Sequence, residues 1–222
     1  MPADRRPGRK QRRPAGAGFS LVELMVGVSI LAVLLALALP SFSEWIRNNQ
    51  VRMMAESLRE GLQLARSEAI KRNTRVRVQL VTTLDASCAL STAGPYWIAN
   101  AEASVTPAGN CGAAPSLTAA PKIVQASPVT SAISKVTVAA SKQSATSTGA
   151  AVVVFDAAGR QAAATNPTSA AGLFSVDVKS PAGSCLKDGG NVRCLRVVVT
   201  TGGEVRMCDP KQTAITDPTR CY

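Results

Sequence analysis

Polarity changes abruptly at Phe19. Residues 1–18 are polar and rich in Arg, Pro and Gly, whereas Phe19–Leu39 reads FSLVELMVGVSILAVLLALAL with one charge, Glu23. At about 1.5 Å of rise per residue, this stretch is long enough to cross a hydrocarbon core as a helix. After Pro40 the apolar positions narrow to a stripe of Val51, Met54/Ala55, Leu58, Leu62, Ala65 and Ala69. Their spacing predicts an amphipathic helix with its apolar face on a sheet. Arg47, Arg52, Arg59, Glu60, Arg66 and Lys71 fall largely off that face. Asn73-Thr74 marks the helix end. Pro40 is a point where the helix can kink or melt locally.

Short β-rich runs follow at 76–84, 96–100, 122–125, 133–139, 151–155, 173–178, 194–200 and 203–207. Ala/Ser/Thr/Gly/Pro stretches separate them, notably 101–121 and 140–150. Asp156-Ala157-Ala158-Gly159-Arg160 and Gly202-Gly203 read as hairpin turns. No internal repeat is evident. The pattern predicts an α+β fold: a long N-terminal helix, transmembrane in its first half, packed against a small antiparallel β domain. The expected division is a leader at 1–18, a membrane and polymerisation segment at 19–39, an amphipathic helix at 40–72 and a β-rich domain at 73–222.

Composition refines this picture. Apolar residues make up 46% of the 222 residues but aromatics only 4%, so the core must be aliphatic and built from small side chains. The net charge is +11. Six Arg/Lys against Asp4 give residues 1–18 a charge of +5, leaving +6 for the remainder. The basic flank predicts a cytoplasmic N-terminus and an outward C-terminal domain. Six cysteines, Cys88, Cys111, Cys185, Cys194, Cys208 and Cys221, all follow the apolar segment. An even count there fits disulfides in an oxidising compartment. Pairing of sequence neighbours gives 88–111, 185–194 and 208–221, one of about 15 possible connectivities. Zinc is the competing reading, but there is no CxxC spacing and no histidine. The lack of histidine also removes Ser-His-Asp and Cys-His nucleophile systems and HExxH sites. No catalytic constellation, metal site or cofactor site stands out.

Glu23 resists a simple anchor reading, because a carboxylate in a membrane helix costs on the order of 3 kcal/mol. A cleavable secretory signal fits poorly as well: the small residue, Gly18, precedes the apolar run instead of following it. Gly18-Phe19-Ser20-Leu21-Val22-Glu23 instead resembles the cleavage motif of type IV prepilins and type II secretion pseudopilins. The resemblance implies cleavage between Gly18 and Phe19 by a prepilin peptidase and N-methylation of Phe19. It also implies a filament in which Glu23 meets the Phe19 amine of a neighbouring subunit, and Pro40 falls where many pilins have proline. Such a pair offsets part of the burial cost of each charge and fixes axial register. Ala65-Arg66-Ser67-Glu68-Ala69-Ile70-Lys71-Arg72-Asn73 is similar to a stretch of the GspH/FimT branch. The implied partners are other pilins or pseudopilins, the peptidase/methyltransferase and the bacterial inner membrane.

The carboxyl end, Leu195 to Pro210, resembles that of FimT/FimU-like minor pilins. Some FimT proteins implicated in DNA uptake carry Gly-Arg-x-Arg in this hairpin, where the present chain has Gly203-Glu204-Val205-Arg206. Arg206 matches, and Glu204 would repel phosphate. Arg193, Arg196, Lys211 and Arg220 are further cationic candidates, and a Cys208–Cys221 bond would bring Arg220 towards Arg206. Arg72, Arg75 and Arg77 form another basic run, expected to be solvated or packed on neighbouring subunits. The leading expectation is a FimT/FimU-like minor pilin. A GspH-type pseudopilin and a DNA-binding minor pilin are the alternatives.

Overall fold

The computed structural model describes residues 18–101, 105–130, 133–143 and 149–221, and of these not the side chains of 38–40 and 134. The leader expected at 1–18 therefore lies, except for Gly18, outside the described residues. The chain forms two units, one ending at Phe42 and one spanning Ser43–Tyr222. One helix, α1, runs from Leu21 to Arg72. It continues through Pro40.

Within the second unit the stripe performs as its spacing requires. Val51, Met54, Ala55, Leu58, Leu62, Ala65 and Ala69 are all buried. The helix ends where expected, because Asn73 takes the left-handed conformation (φ 49°). Asn73 N donates to Ile70 O and Thr74 N to Ala69 O, which satisfies carbonyls at the helix end.

Two antiparallel sheets cover this helix face. Strands β1 (Val76–Val81), β2 (Tyr96–Asn100), β3 (Ile123–Ala126), β5 (Val152–Phe155) and β6 (Gln161–Ala162) form the first, in the order β3-β2-β1-β5-β6. Strands β4 (Thr137–Lys142), β9 (Phe174–Lys179), β10 (Leu195–Val199) and β11 (Val205–Cys208) form the second, in the order β11-β10-β9-β4. Alternate residues point inward: Val76, Val78, Leu80, Trp97, Val153 and Phe155 from one sheet, Val138, Val176, Val178, Val197 and Val199 from the other. They join the helix stripe in one core. Gly61 lets Trp97 lie against the helix, since a Cβ there would meet the indole at 2.6 Å. The indole N–H donates to Ser57 Oγ at 3.1 Å.

Three expectations need correction. Ile133–Lys135 is a 3-10 turn, so that strand starts later, at Thr137. The hairpin β7 (Ala164–Thr165) and β8 (Thr168–Ser169) was not foreseen. Arg77 is fully buried rather than solvated. It lies on the outer face of the first sheet beside Gln79 and Asn100, which are also buried. Segment 105–121 closes over that face: Asn100 Nδ2 donates to Val105 O and Pro121 O, and Thr106 Oγ1 to Gln79 Oε1. Burial pulls the Arg77 guanidinium down to about 10.

All six cysteines pair, as Cys88–Cys111, Cys185–Cys194 and Cys208–Cys221. The first pins the covering segment to the end of β1 through a small cluster of Val81, Ile98 and Ile123.

Lys142 is a second buried cation. Its Nζ donates to Ser169 Oγ at 2.7 Å and Val152 O at 3.3 Å, with no carboxylate partner among the described residues. Loss of hydration lowers its pKa to about 8. Between about pH 8 and the ordinary lysine value near 10.4, the unfolded chain binds the proton that the folded chain has released. Stability therefore rises with pH across that window. Thermal unfolding of the detergent-solubilised chain should gain up to about 2 kcal/mol there, less than the full shift implies because solvent at the rim screens the charge. Lys142→Met should abolish this gain. A pH profile identical in the two proteins would contradict the assignment.

Candidate assembly and polyanion surfaces

The first candidate surface is the head of α1. Gly18 to Ser20 precede the helix, and Ser20 caps it: its Oγ accepts from Glu23 N at 3.1 Å. Glu23 thus sits in the first turn, where the positive end of the helix dipole favours a carboxylate. The spacing Ser-x-x-Glu is that of a capping box. Every large apolar side chain from Phe19 to Leu37 is between 52% and 82% exposed. The hydroxyl of Ser29 donates to Met25 O at 2.8 Å, so even this polar group is satisfied within the helix, as a lipid or protein surround requires. A helix apolar on all sides needs burial against something outside this unit.

The second is the outer face of the second sheet. Arg196 on β10 and Arg206 on β11 lie on it, with Val198 opposite Arg206 and Cys208 opposite Arg196. Disulfide Cys208–Cys221 folds the C-terminal segment back, and Asp209 N donates to Thr219 O at 2.8 Å. Arg206 and Arg220 consequently line one small cavity of about 110 Å³ together with Val198, Thr200 and Pro218.

The cations gathered here are not arrayed as a bare positive surface. Asp177 takes both Nε and Nη2 of Arg196, at 2.7 and 3.0 Å. That hydrogen-bonded pair holds the Arg196 guanidinium above its ordinary value against the opposing effect of burial. Arg193 Nε donates to the buried Asp209 at 2.7 Å. Glu204 lies 3.4 Å from Arg206. Three of the five candidate cations, Arg193, Arg196 and Arg206, therefore carry a carboxylate neighbour. Lys211 binds the same Asp209 through its backbone N–H. Register decides the Arg196 pair: Asp177 faces Arg196 across β9–β10, which sequence spacing alone does not reveal.

Gly203, the glycine of the hairpin motif, has a structural role. Its φ is +81°, and a Cβ would meet Gly159 O at 1.9 Å. Gln161 N donates to Thr201 O and Gln161 Nε2 to Val199 O, while Arg66 Nε donates to Gly159 O. The two hairpin tips and the helix thus meet at one junction.

A family model described as "Type II transport protein GspH" matches residues 54–203. The chain belongs to the GspH family. A second model, "Prokaryotic N-terminal methylation motif", matches residues 13–39, spanning Gly18, Phe19 and Glu23. No curated protein matches. Among solved structures, the type IV minor pilin FimU of Pseudomonas aeruginosa PAO1 is similar in two crystal forms. In the P21 form the identity is 20%, the TM-score 0.40, and the match covers 78% of this chain and 96% of FimU. In the P65 form the figures are 19%, 0.39, 77% and 99%. As a GspH-family chain with a methylation motif, the protein is a pilin-like structural subunit, a minor pilin or pseudopilin, with an α+β pilin fold.

The pairing of the GspH-family hairpin has a direct consequence. Glu204→Arg replaces a repelling carboxylate and creates Gly-Arg-x-Arg. Titration of labelled duplex DNA with detergent-solubilised chain should show a salt slope steeper than wild type by about one to two. An unchanged slope would show that this face does not meet phosphate even when its charges are exposed.

Proposed function

We propose that this GspH-family chain is a minor subunit of a type IV pilus, FimT/FimU-like, that enters or primes the filament by helix stacking. The chain starts in the bacterial inner membrane, with its basic leader cytoplasmic and residues 73–222 outside. Prepilin peptidase cuts between Gly18 and Phe19, and the new Phe19 amine is methylated. Helix 19–39 then exchanges lipid for the helices of other pilins, and Pro40 is the place where α1 can bend on packing.

The observation that carries this reading is the pairing of an all-round exposed apolar helix with a single acid in its first turn. In lipid that acid is a penalty. In a stack, the Phe19 amine of the next subunit supplies the opposite charge, so Glu23 converts non-specific burial into a fixed register. The second reading is a GspH-type pseudopilin of type II secretion, favoured by the description of the matching family model. The helix physics is common to both. Deletion of the chain removes surface pili under the first reading and blocks export of secreted proteins under the second. DNA binding is not favoured, because carboxylates face three of the five candidate cations.

Glu23→Leu should leave the chain in the membrane fraction, since it removes the only charge of the span. Its recovery in sheared filaments should fall about ten-fold or more, because the partner amine loses its counter-charge. Recovery equal to wild type would overturn the role assigned to Glu23.

A further inference from the structure

Lys142 is the last residue of β4, at the edge of the second sheet. Its side chain follows Val138 and Ala140 to the inner side and is 7% exposed. Nζ donates to Val152 O at the start of β5 and to Ser169 Oγ in β8. One amine thus joins the first sheet, the second sheet and the separate hairpin β7–β8. That hairpin has little else to hold it. Its strands share two residue pairs, Ala164–Ser169 and Thr165–Thr168. Of residues 164–169 only Ala164 and Ser169 are buried. Ala164 packs on Val152 and Val154 in a small apolar cluster separate from the main core.

The surroundings of Nζ suit an uncharged amine. An ammonium group carries three N–H donors and a neutral amine two. Two acceptors are present, Val152 O and Ser169 Oγ, and the Ser169 hydroxyl itself donates to Ala170 O at 3.3 Å. A third N–H would meet no acceptor among the described residues. Counter-charge is also lacking. Residues 143–155 and 164–173 contain no ionisable side chain. Nor do residues 90–95, whose Thr92 O accepts from Ala140 N beside Lys142. On β9, Asp177 and Lys179 pair with Ala139 and Thr137, on the opposite face from Lys142, and Asp177 holds Arg196. Tyr96 packs against the cluster around Val81. Burial without a counter-charge therefore brings Lys142 down to about 8, whereas a hydrated lysine titrates near 10.4.

We propose that Lys142 is a proton-controlled latch on the hairpin β7–β8. As a neutral amine it fastens Ser169 to β4 and β5. As an ammonium ion it favours release of the hairpin and its own exit into water. Release uncovers Val152 and Val154, so the latch governs whether an apolar patch is presented at the end of the first sheet. This opening is local. It is distinct from unfolding of the whole domain, which registers the same proton without assigning it to any one element.

Millisecond hydrogen exchange of the detergent-solubilised full chain between pH 7 and pH 9, corrected for the intrinsic effect of pH on amide exchange, tests the latch. The open hairpin binds the proton that the closed one has released, so rising pH favours closure. Residues 164–169 should exchange faster than Leu195–Val199 at every pH, and their protection should rise about five-fold across the range. Lys142→Met should make that protection independent of pH. Ser169→Ala keeps the amine and removes one acceptor, and it should lower hairpin protection at pH 7 about three-fold. This second variant keeps the test decisive if Lys142→Met does not fold. Wild-type hairpin protection that is constant with pH overturns the latch. Exchange of residues 164–169 in step with Leu195–Val199 also overturns it, because the hairpin then has no opening of its own. Unchanged protection in Ser169→Ala overturns it as well, by showing that the Lys142–Ser169 contact holds nothing.

Discussion

The burial of one 52-residue helix is the constraint on which everything else depends. From Val51 to Ala69 its apolar stripe is covered by the chain's own two sheets. From Phe19 to Leu37 the apolar side chains point in all directions and stay exposed. Apolar area of that extent is not left in water by a stable molecule. The first half must be buried in lipid or among other helices, and a subunit that can exchange one for the other is suited to polymerisation. In the proposed function Glu23 gives that exchange direction, because a filament would offer it an opposite charge at a fixed height.

The second half of the helix is held by a domain with modest means. Aromatics are 4% of the chain, and the core is mostly Val, Ala and Leu. Disulfides closing separations of 23, 9 and 13 residues compensate by restricting the unfolded chain, typically by about 2–4 kcal/mol each. The junction of Arg66, Gly159 and Gly203 ties the two sheets to one another and to the helix. The same economy explains the quiet charge surface. Arg193 and Arg196 fasten strands and the C-terminal segment through Asp209 and Asp177, which leaves less unneutralised positive charge on this face than the count of cations suggests.

Much of the fold was legible because periodicity reports burial directly. The stripe from Val51 to Ala69, the stop at Asn73 and the turns at Gly159 and Gly203 each follow from local spacing or backbone freedom. Arg77 escaped because the cover over it is an irregular segment with no periodic signal. Ile133–Lys135 escaped because an apolar residue followed by Ser and Lys suits a 3-10 turn as well as a strand end. The strands β7 and β8, two residues each, are too short for any pattern. The motif at Gly18–Glu23 was legible as local chemistry. The partner of Arg196 was not, since Asp177 is far from it in the chain and meets it only through strand register.

In the proposed function, processing at Gly18 turns the apolar helix from an anchor into an assembly element, since it would create the amine that Glu23 is proposed to meet. Intact-mass and N-terminal analysis of the chain recovered from membranes of cells with an active prepilin peptidase tests this most directly. The account predicts a chain that begins at Phe19, carries one added methyl group on its amine and retains all six cysteines as disulfides. A chain that keeps residues 1–18, or one cut after the apolar span, would contradict it.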